Sequence, residues 1–239
     1  MAQHARIKRT PPPDGARRRW WQNRLLQLLA AFVLLCGVAA AGLKLYTDYT
    51  NSHFQVTFYR VTSSHVSEKL RVLFLSDLHL REYGEHNEEL IQTVQELDPD
   101  LILLGGDLVT FPNPEYEKML SLCRSLADVA PLYGVLGNHE YRGNTQAVLD
   151  YSNISRRWTM PARYYTKTFE DNGATIRILW VDTAPMIDKY RNESETYPDA
   201  CKQDYQQQLS WIDSVLTAAK EDWVIVAGHH PIYAETPKD

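Results

Sequence analysis

Four short apolar runs, each stopping at a carboxylate, an amide or an imidazole, constrain this chain more than any other feature. They are LRVLFLSD (70–77), DLILLGGD (100–107), PLYGVLGNHE (131–140) and DWVIVAGHH (222–230). Continuous apolar runs of this length, bounded by Gly or Asp, predict strands buried on both faces. Helical patterns separate the first three. In NEELIQTVQEL (87–97) Leu90, Ile91, Val94 and Leu97 share a face. In NPEYEKMLSLCRSLADV (113–129) Met119, Leu120, Cys123 and Leu126 do the same, with Asn113 as a cap and Pro114 in the first turn. Strand and helix alternating in this way imply right-handed crossovers and a parallel sheet. ARYYTKTF (162–169) and TIRILWVDTA (175–184) flank EDNG and predict an antiparallel hairpin. FQVTFYRVTS (54–63) alternates like a further strand, RNESETYPDACKQD (191–204) reads as a polar, solvated loop, and QDYQQQLSWIDSVLTAAK (203–220) reads as an amphipathic helix. The expected class is α/β, with two packed mixed sheets and helices outside.

The charge is unevenly placed. Residues 1–24 carry seven Lys or Arg against Asp14 alone, and with a total of −5 the rest of the chain is left at about −11. An acidic body has no electrostatic reason to hold a nucleic-acid backbone, so no nucleic-acid partner is expected, and no protein partner is evident. Leu25 to Leu43 is a 19-residue stretch with one amide and no charge. At 1.5 Å per residue it nearly matches the ~30 Å hydrocarbon core of a bilayer. Arginines precede it and Trp20 and Trp21 stand at the expected interface, so the positive-inside rule places the N-terminus in the cytoplasm. The expected organisation is a basic cytoplasmic tail (1–24), a transmembrane helix or signal anchor (25–47), a polar linker from Tyr46 to His53, and a periplasmic or extracellular domain (48–239). A cleaved signal peptide, with small-x-small sites at Val38–Ala40 and Ala39–Ala41, is the rival reading, and RRRWW also fits a weak twin-arginine signal. Cys36, Cys123 and Cys201 are too scattered for a disulfide framework and are expected to be free thiols.

The groups that end the strands are chemically coherent: Asp77 and His79, then Asp107, then Asn138 and His139, then His229. In α/β sheets the functional crevice lies at the carboxyl ends of strands, so these groups can converge although 30, 31 and 91 residues separate Asp77, Asp107, Asn138 and His229. Carboxylates with imidazoles suit borderline divalent metals, and a metal pair needs a bridging carboxylate. Glycines at 105, 106, 137 and 228 suit sharp turns where backbone must approach a metal or phosphate. Each signal alone is weak; four in this order are not.

SDLHL (76–80), GGDLV (105–109), GNHE (137–140) and GHH (228–230) resemble the successive motifs of the calcineurin-like metallophosphoesterases, over about residues 55–239. The resemblance implies a double β-sandwich of mixed sheets flanked by helices. It implies that Asp77 and His79 bind a first metal, that Asp107 bridges, and that Asn138 and His229 bind a second. His139 becomes the catalytic histidine beside the metals, with Glu140 a guess for its orienting partner, and His230 faces the substrate. Two divalent ions (Mn, Zn or Fe) would activate a hydroxide to attack the phosphorus of a small phosphoester. Residues 53–143 look like the membrane-anchored bacterial branch of the family. Residues 144–239 look like its tartrate-resistant (purple) acid phosphatase branch, which favours phosphomonoesters; a phosphodiester of the cell envelope is the alternative substrate. The purple branch carries a ferric-binding tyrosine three residues after the bridging aspartate, where this chain has Thr110, so a redox-inert, colourless pair is expected. Thr110 also replaces the aspartate of the GDxVDRG motif of Ser/Thr protein phosphatases.

The family pattern ends in a further Gly-His-x-His, which supplies one ligand to each metal. The sequence contains no such motif, and the remaining histidines, His4, His53, His65 and His86, all precede the fourth strand. The domain is therefore expected to be C-terminally incomplete, as a fragment, an interrupted frame or a join of two related genes. A weak or inactive site with an unpaired sheet edge is then the alternative to an active enzyme.

Overall fold

The computed structural model describes residues 14–62, 69–112, 114–154, 158–171 and 173–232, in two units, Met1–Phe54 and Gln55–Asp239. The expected cap Asn113 lies outside the described residues. Among its described residues the first unit has one helix, α1 (Asp14–Ser52), whose stretch Arg19–Ser52 is long and apolar enough to cross a membrane, with none of it buried. The expected linker from Tyr46 is helical as far as Ser52. No Gly or Pro interrupts it, and local bonds sustain it: Lys44 pairs with Asp48 at 3.4 Å, and the Thr47 hydroxyl donates to the Leu43 carbonyl at 2.8 Å.

The second unit holds two sheets. The first is wholly parallel, in the order β1 (Val72–Leu75), β2 (Leu101–Leu104), β3 (Leu132–Gly134), β4 (Trp158–Thr159). Helices α2 (Glu88–Leu97), α3 (Tyr116–Ala127) and α4 (Thr145–Ile154) make its crossovers. The second sheet runs β5 (Tyr165–Asp171), β6 (Ala174–Trp180), β7 (Trp223–Ala227), with β5 antiparallel and β7 parallel to β6. Aromatic rings join the two sheets. Trp180 stacks between Tyr133 of β3 and Tyr165 of β5 at 5.0 and 4.7 Å, and the Tyr165 hydroxyl donates to the Gly134 carbonyl at 2.9 Å. Gly134 must stay small, because a Cβ there would lie 2.5 Å from the Trp158 ring.

Several expectations need correction. Of the four strands expected to be buried on both faces, only β2 and β3 are. β1 and β7 are edge strands, with Phe74 of β1 and Val224 and Val226 of β7 exposed. Residues 54–62 form no strand despite their alternation, because no sheet edge pairs with them; Phe58, Tyr59 and Val61 are exposed. The expected loop 191–204 is partly helical and not simply solvated. Helix α5 (Asp188–Asn192) leads into a turn whose Tyr197 and Ala200 are buried. The helix expected at 203–220 is α6 (Tyr205–Ala218), started by Asp204, whose carboxylate accepts the Gln207 N–H at 3.0 Å. Cys36 and Cys201 are free and exposed, and Cys123 is free and buried.

Candidate metal centre

The loops that carry the expected ligands leave the carboxyl ends of their strands and zip together. Asp77 N–H donates to the Gly106 carbonyl (3.1 Å), His79 N–H to Asp107 (2.9 Å) and Leu80 N–H to Leu108 (3.0 Å). To make these turns Asp77, His79, Leu80 and Asp107 all take positive φ, between 48° and 58°. That is strained backbone for residues with side chains, and such strain concentrates at functional sites. Gly106 and Gly137 allow the second and third loops to touch: a Cβ on Gly106 would lie 2.5 Å from the Gly137 nitrogen, and one on Gly137 2.2 Å from the Asp107 carboxylate.

Asp107 is the hub. It is 3% exposed, and its Oδ1 accepts the His139 N–H at 2.8 Å. Its Oδ2 faces His229 Nε2 at 3.4 Å and His79 Nε2 at 3.9 Å. Burial raises its pKa, but His229 and the His139 N–H outweigh this, so the carboxyl stays below its ordinary value. Asp77 stands opposite, its Oδ1 3.7 Å from His79 Nε2 and its Oδ2 accepting the Ser76 hydroxyl at 2.6 Å.

His229 shows how the ring is aimed. Its Nδ1 lies 2.9 Å from the Gly105 carbonyl, which can only accept, so Nδ1 carries the proton. In the neutral ring Nε2 then turns a lone pair toward two oxygens, Asp107 Oδ2 and, at 3.3 Å, Asn138 Oδ1. Burial pushes its pKa down, but the Asp107 carboxylate reverses this and raises it overall. Three electron-rich atoms converging on one space fit a cation, and a backbone carbonyl locking the far nitrogen is the usual support of a metal-binding histidine.

Two groups of donor atoms among the described residues lie within 4.8 Å of one another: Asp77, Asp107 and His229, and His79, Asp107 and His139. Both contain Asp107, as a bridging role requires. The second also admits His139 as a ligand, beyond the expected role beside the metals. Its Nδ1 is buried without a partner, its ring meets His79 edge-on at 4.5 Å, and burial lowers its pKa against the opposing pull of Asp107.

Glu140 does not orient His139. Its carboxylate is buried and accepts four backbone N–H groups: Asp107 (2.9 Å), Leu108 (2.7 Å), Val109 (3.4 Å) and Gly137 (2.8 Å). Burial and the charge of Asp107 raise its pKa against the pull of those donors. It is the brace of the second and third loops. Sequence reasoning missed this because a glutamate after Asn-His looks like a side-chain partner, and only folding brings the loops' amides to it.

His230 spends both ring nitrogens on groups other than Asp107. Its Nδ1 meets the Thr183 hydroxyl at 2.8 Å, its Nε2 lies 3.3 Å from the Tyr190 hydroxyl, and burial beside His229 pushes its pKa down to about 4. Thr183 and Tyr190 were also missed; neither stands in a recognisable motif. Thr110 is half-buried.

The chain is similar to known proteins over the same region. The human tartrate-resistant acid phosphatase type 5 is 34% identical over 162 residues, covering 62% of this chain and 49% of its own length. The uncharacterized protein YpbG of Bacillus subtilis is 25% identical over 185 residues, covering 77% of this chain and 67% of its own. The solved structure of a dimetal phosphatase from Danio rerio has a TM-score of 0.46 at 15% identity, covering 69% of this chain and 70% of that one. The chain spans about half the length of the mammalian acid phosphatases it matches. The model of the calcineurin-like phosphoesterase family matches residues 70–238, which takes in both sheets and the loops after β1, β2, β3 and β7, and the chain belongs to that family.

Proposed function

We propose that this chain hydrolyses small phosphomonoesters with a pair of divalent metal ions held by Asp77 and His79, by Asn138 and His229, and by Asp107 between them. The carrying observation is the aim of His229, whose Nδ1–H is spent on Gly105 and whose Nε2 faces Asp107 and Asn138. When bound, such ions polarise a phosphoryl oxygen and make water a competent nucleophile near neutral pH. The protein's own groups do the rest. Asp107, kept ionised, holds the two sides together. His139 supplies a hydrogen bond to the phosphoryl oxygens, or, as the imidazolium, a proton to the leaving oxygen. His230, held by Thr183 and Tyr190, lines the substrate side.

The likeness to acid phosphatases supports monoesters. Thr110 offers no phenolate, so the metal-loaded protein is expected to be colourless, and an intense visible absorption band would contradict a redox-inert pair of Mn, Zn or ferrous ions. The apolar stretch of α1, with arginines before it, supports a single-pass anchor with a cytoplasmic N-terminus and the phosphoesterase domain outside. Assaying the metal-loaded protein on p-nitrophenyl phosphate and on its bis ester tests the activity. Faster turnover of the monoester supports the proposal. Hydrolysis of the bis ester alone makes the protein a diesterase, and hydrolysis of neither refutes a hydrolytic role.

A further inference from the structure

Most arginines of the phosphoesterase unit that lie against its core have an obvious employer. Arg163 donates to the Tyr141 and Thr145 hydroxyls at 2.9 Å, Arg177 pairs with Glu221, and Arg191 donates to the Pro185 carbonyl at 2.7 Å. Arg142 differs. It is half-buried and among the described residues forms no ion pair; its Nε is buried without a hydrogen-bond partner, as that of Arg177 is, but Arg177 has Glu221 as its counterion. A guanidinium partly desolvated without a counterion is a cost that folding alone does not repay.

Its position suggests what repays it. Arg142 closes the short helical turn after the third ligand loop, its N–H donating to the His139 carbonyl at 3.1 Å. Its guanidinium lies 5.5 Å over the ring of buried Tyr197. Tyr197 meets Tyr190 edge-on at 4.8 Å, the Tyr190 hydroxyl is 3.3 Å from His230, and the His230 ring is 4.6 Å from His229. A run of ring contacts thus links the cation to His230 and His229, and its own chain position is three residues after His139.

The geometry points to Arg142 as the anion-recognising residue of this site, taking non-bridging oxygens of the phosphoryl group and favouring dianionic monoesters over monoanionic diesters. This rests on the phosphoesterase reading above and adds its source of selectivity. A phosphomonoester carries nearly two negative charges and three free oxygens near neutral pH. The planar fork of a guanidinium matches two such oxygens, and a charge-assisted pair of this kind is stronger than a neutral hydrogen bond. A diester has one charge and two free oxygens, which leaves the fork less to hold once the metals are engaged.

The test compares the metal-loaded full chain with Arg142→Gln and Arg142→Lys, measuring kcat and KM on p-nitrophenyl phosphate and its bis ester, the Ki of inorganic phosphate, and bound metal by elemental analysis. For Arg142→Gln we expect KM for the monoester and Ki for phosphate to rise together by about 10- to 100-fold. Values for the bis ester should change by less than about threefold, metal content should hold, and Arg142→Lys should fall between. Unchanged KM and Ki in Arg142→Gln overturn the inference while leaving the phosphoesterase reading intact. Equal losses on both esters, or loss of metal, also overturn it, because they make Arg142 a structural residue. A wild-type protein that hydrolyses neither ester overturns the underlying reading and this one with it.

Discussion

The loops after β1, β2 and β3 are zipped to one another through many backbone amides, whereas the loop after β7 is tied to its neighbours by a few single bonds. On the first side, three interloop N–H to carbonyl bonds and the four amides gathered by Glu140 brace Asp77, His79, Asp107 and Asn138. These loops spring in part from β2 and β3, the strands buried on both faces. On the second side, His229 follows an edge strand whose Val224 and Val226 are exposed. It is aimed by a bond back to Gly105, a residue of the first side, and its neighbour His230 is tied down by Thr183. The strong side thus carries the shared carboxylate, and the weaker side takes its orientation from it. A site is only as well formed as the shell that supports it, so the two sides should respond differently to damage.

Substitutions can break this asymmetry, in order of expected effect on turnover. Asp107→Asn removes the group common to both sides. Losses in a supporting shell alone cost 10–100-fold, so turnover should fall by about 100-fold or more, with metal affinity weakened throughout. Glu140→Gln attacks only the first brace, turning an amide nitrogen toward backbone donors. It should cost about 1–3 kcal/mol in denaturant unfolding and about tenfold or more in metal affinity. Thr183→Val attacks only the second brace, where one hydroxyl serves His230. About 1 kcal/mol and less than a tenfold loss of turnover are expected. If Thr183→Val proves as damaging as Glu140→Gln, the contrast between the sides fails.

A fourth substitution probes the strut between the sheets. Tyr141, in the turn after His139, donates to Asp182, which follows β6, and Arg163 donates to Tyr141. Burial, the largest influence on Asp182, pushes its pKa from 3.8 up to about 7. A carboxyl with a raised folded pKa binds more protons folded than unfolded, so its contribution to stability is present at low pH and lost as pH rises through that window. Relative to wild type, Asp182→Asn should therefore gain stability between pH 3.8 and about 7, with little change in turnover. Thermal midpoints across that range, measured for both proteins, check the sign.

Much of the site was legible because its residues stand directly after apolar runs, and strand ends are where α/β sheets gather function. Asp77, His79, Asp107, Asn138 and His229 converge although up to 152 residues separate Asp77 from His229. The parallel order β1-β2-β3 and the β5–β6 hairpin were legible for the same reason, since periodicity and turn residues are local. What was not legible depends on distant partners. The two-residue β4 is too short to show a period, and residues 54–62 have the pattern of a strand but no edge to join. Tyr197 and Ala200 looked solvated because the polar residues around them hide two positions buried by tertiary contact. Glu140 could not be read as a brace, since the donors it gathers are backbone amides and leave no trace in composition.

Metal binding by equilibrium dialysis of wild type and Asp107→Asn tests the central claim most directly. The account predicts two divalent ions per chain in wild type, as the two donor groups sharing Asp107 imply, and affinity lowered by about tenfold or more for both in the variant. A wild-type chain that binds no ion, or an Asp107→Asn chain that binds two as tightly as wild type, would contradict it.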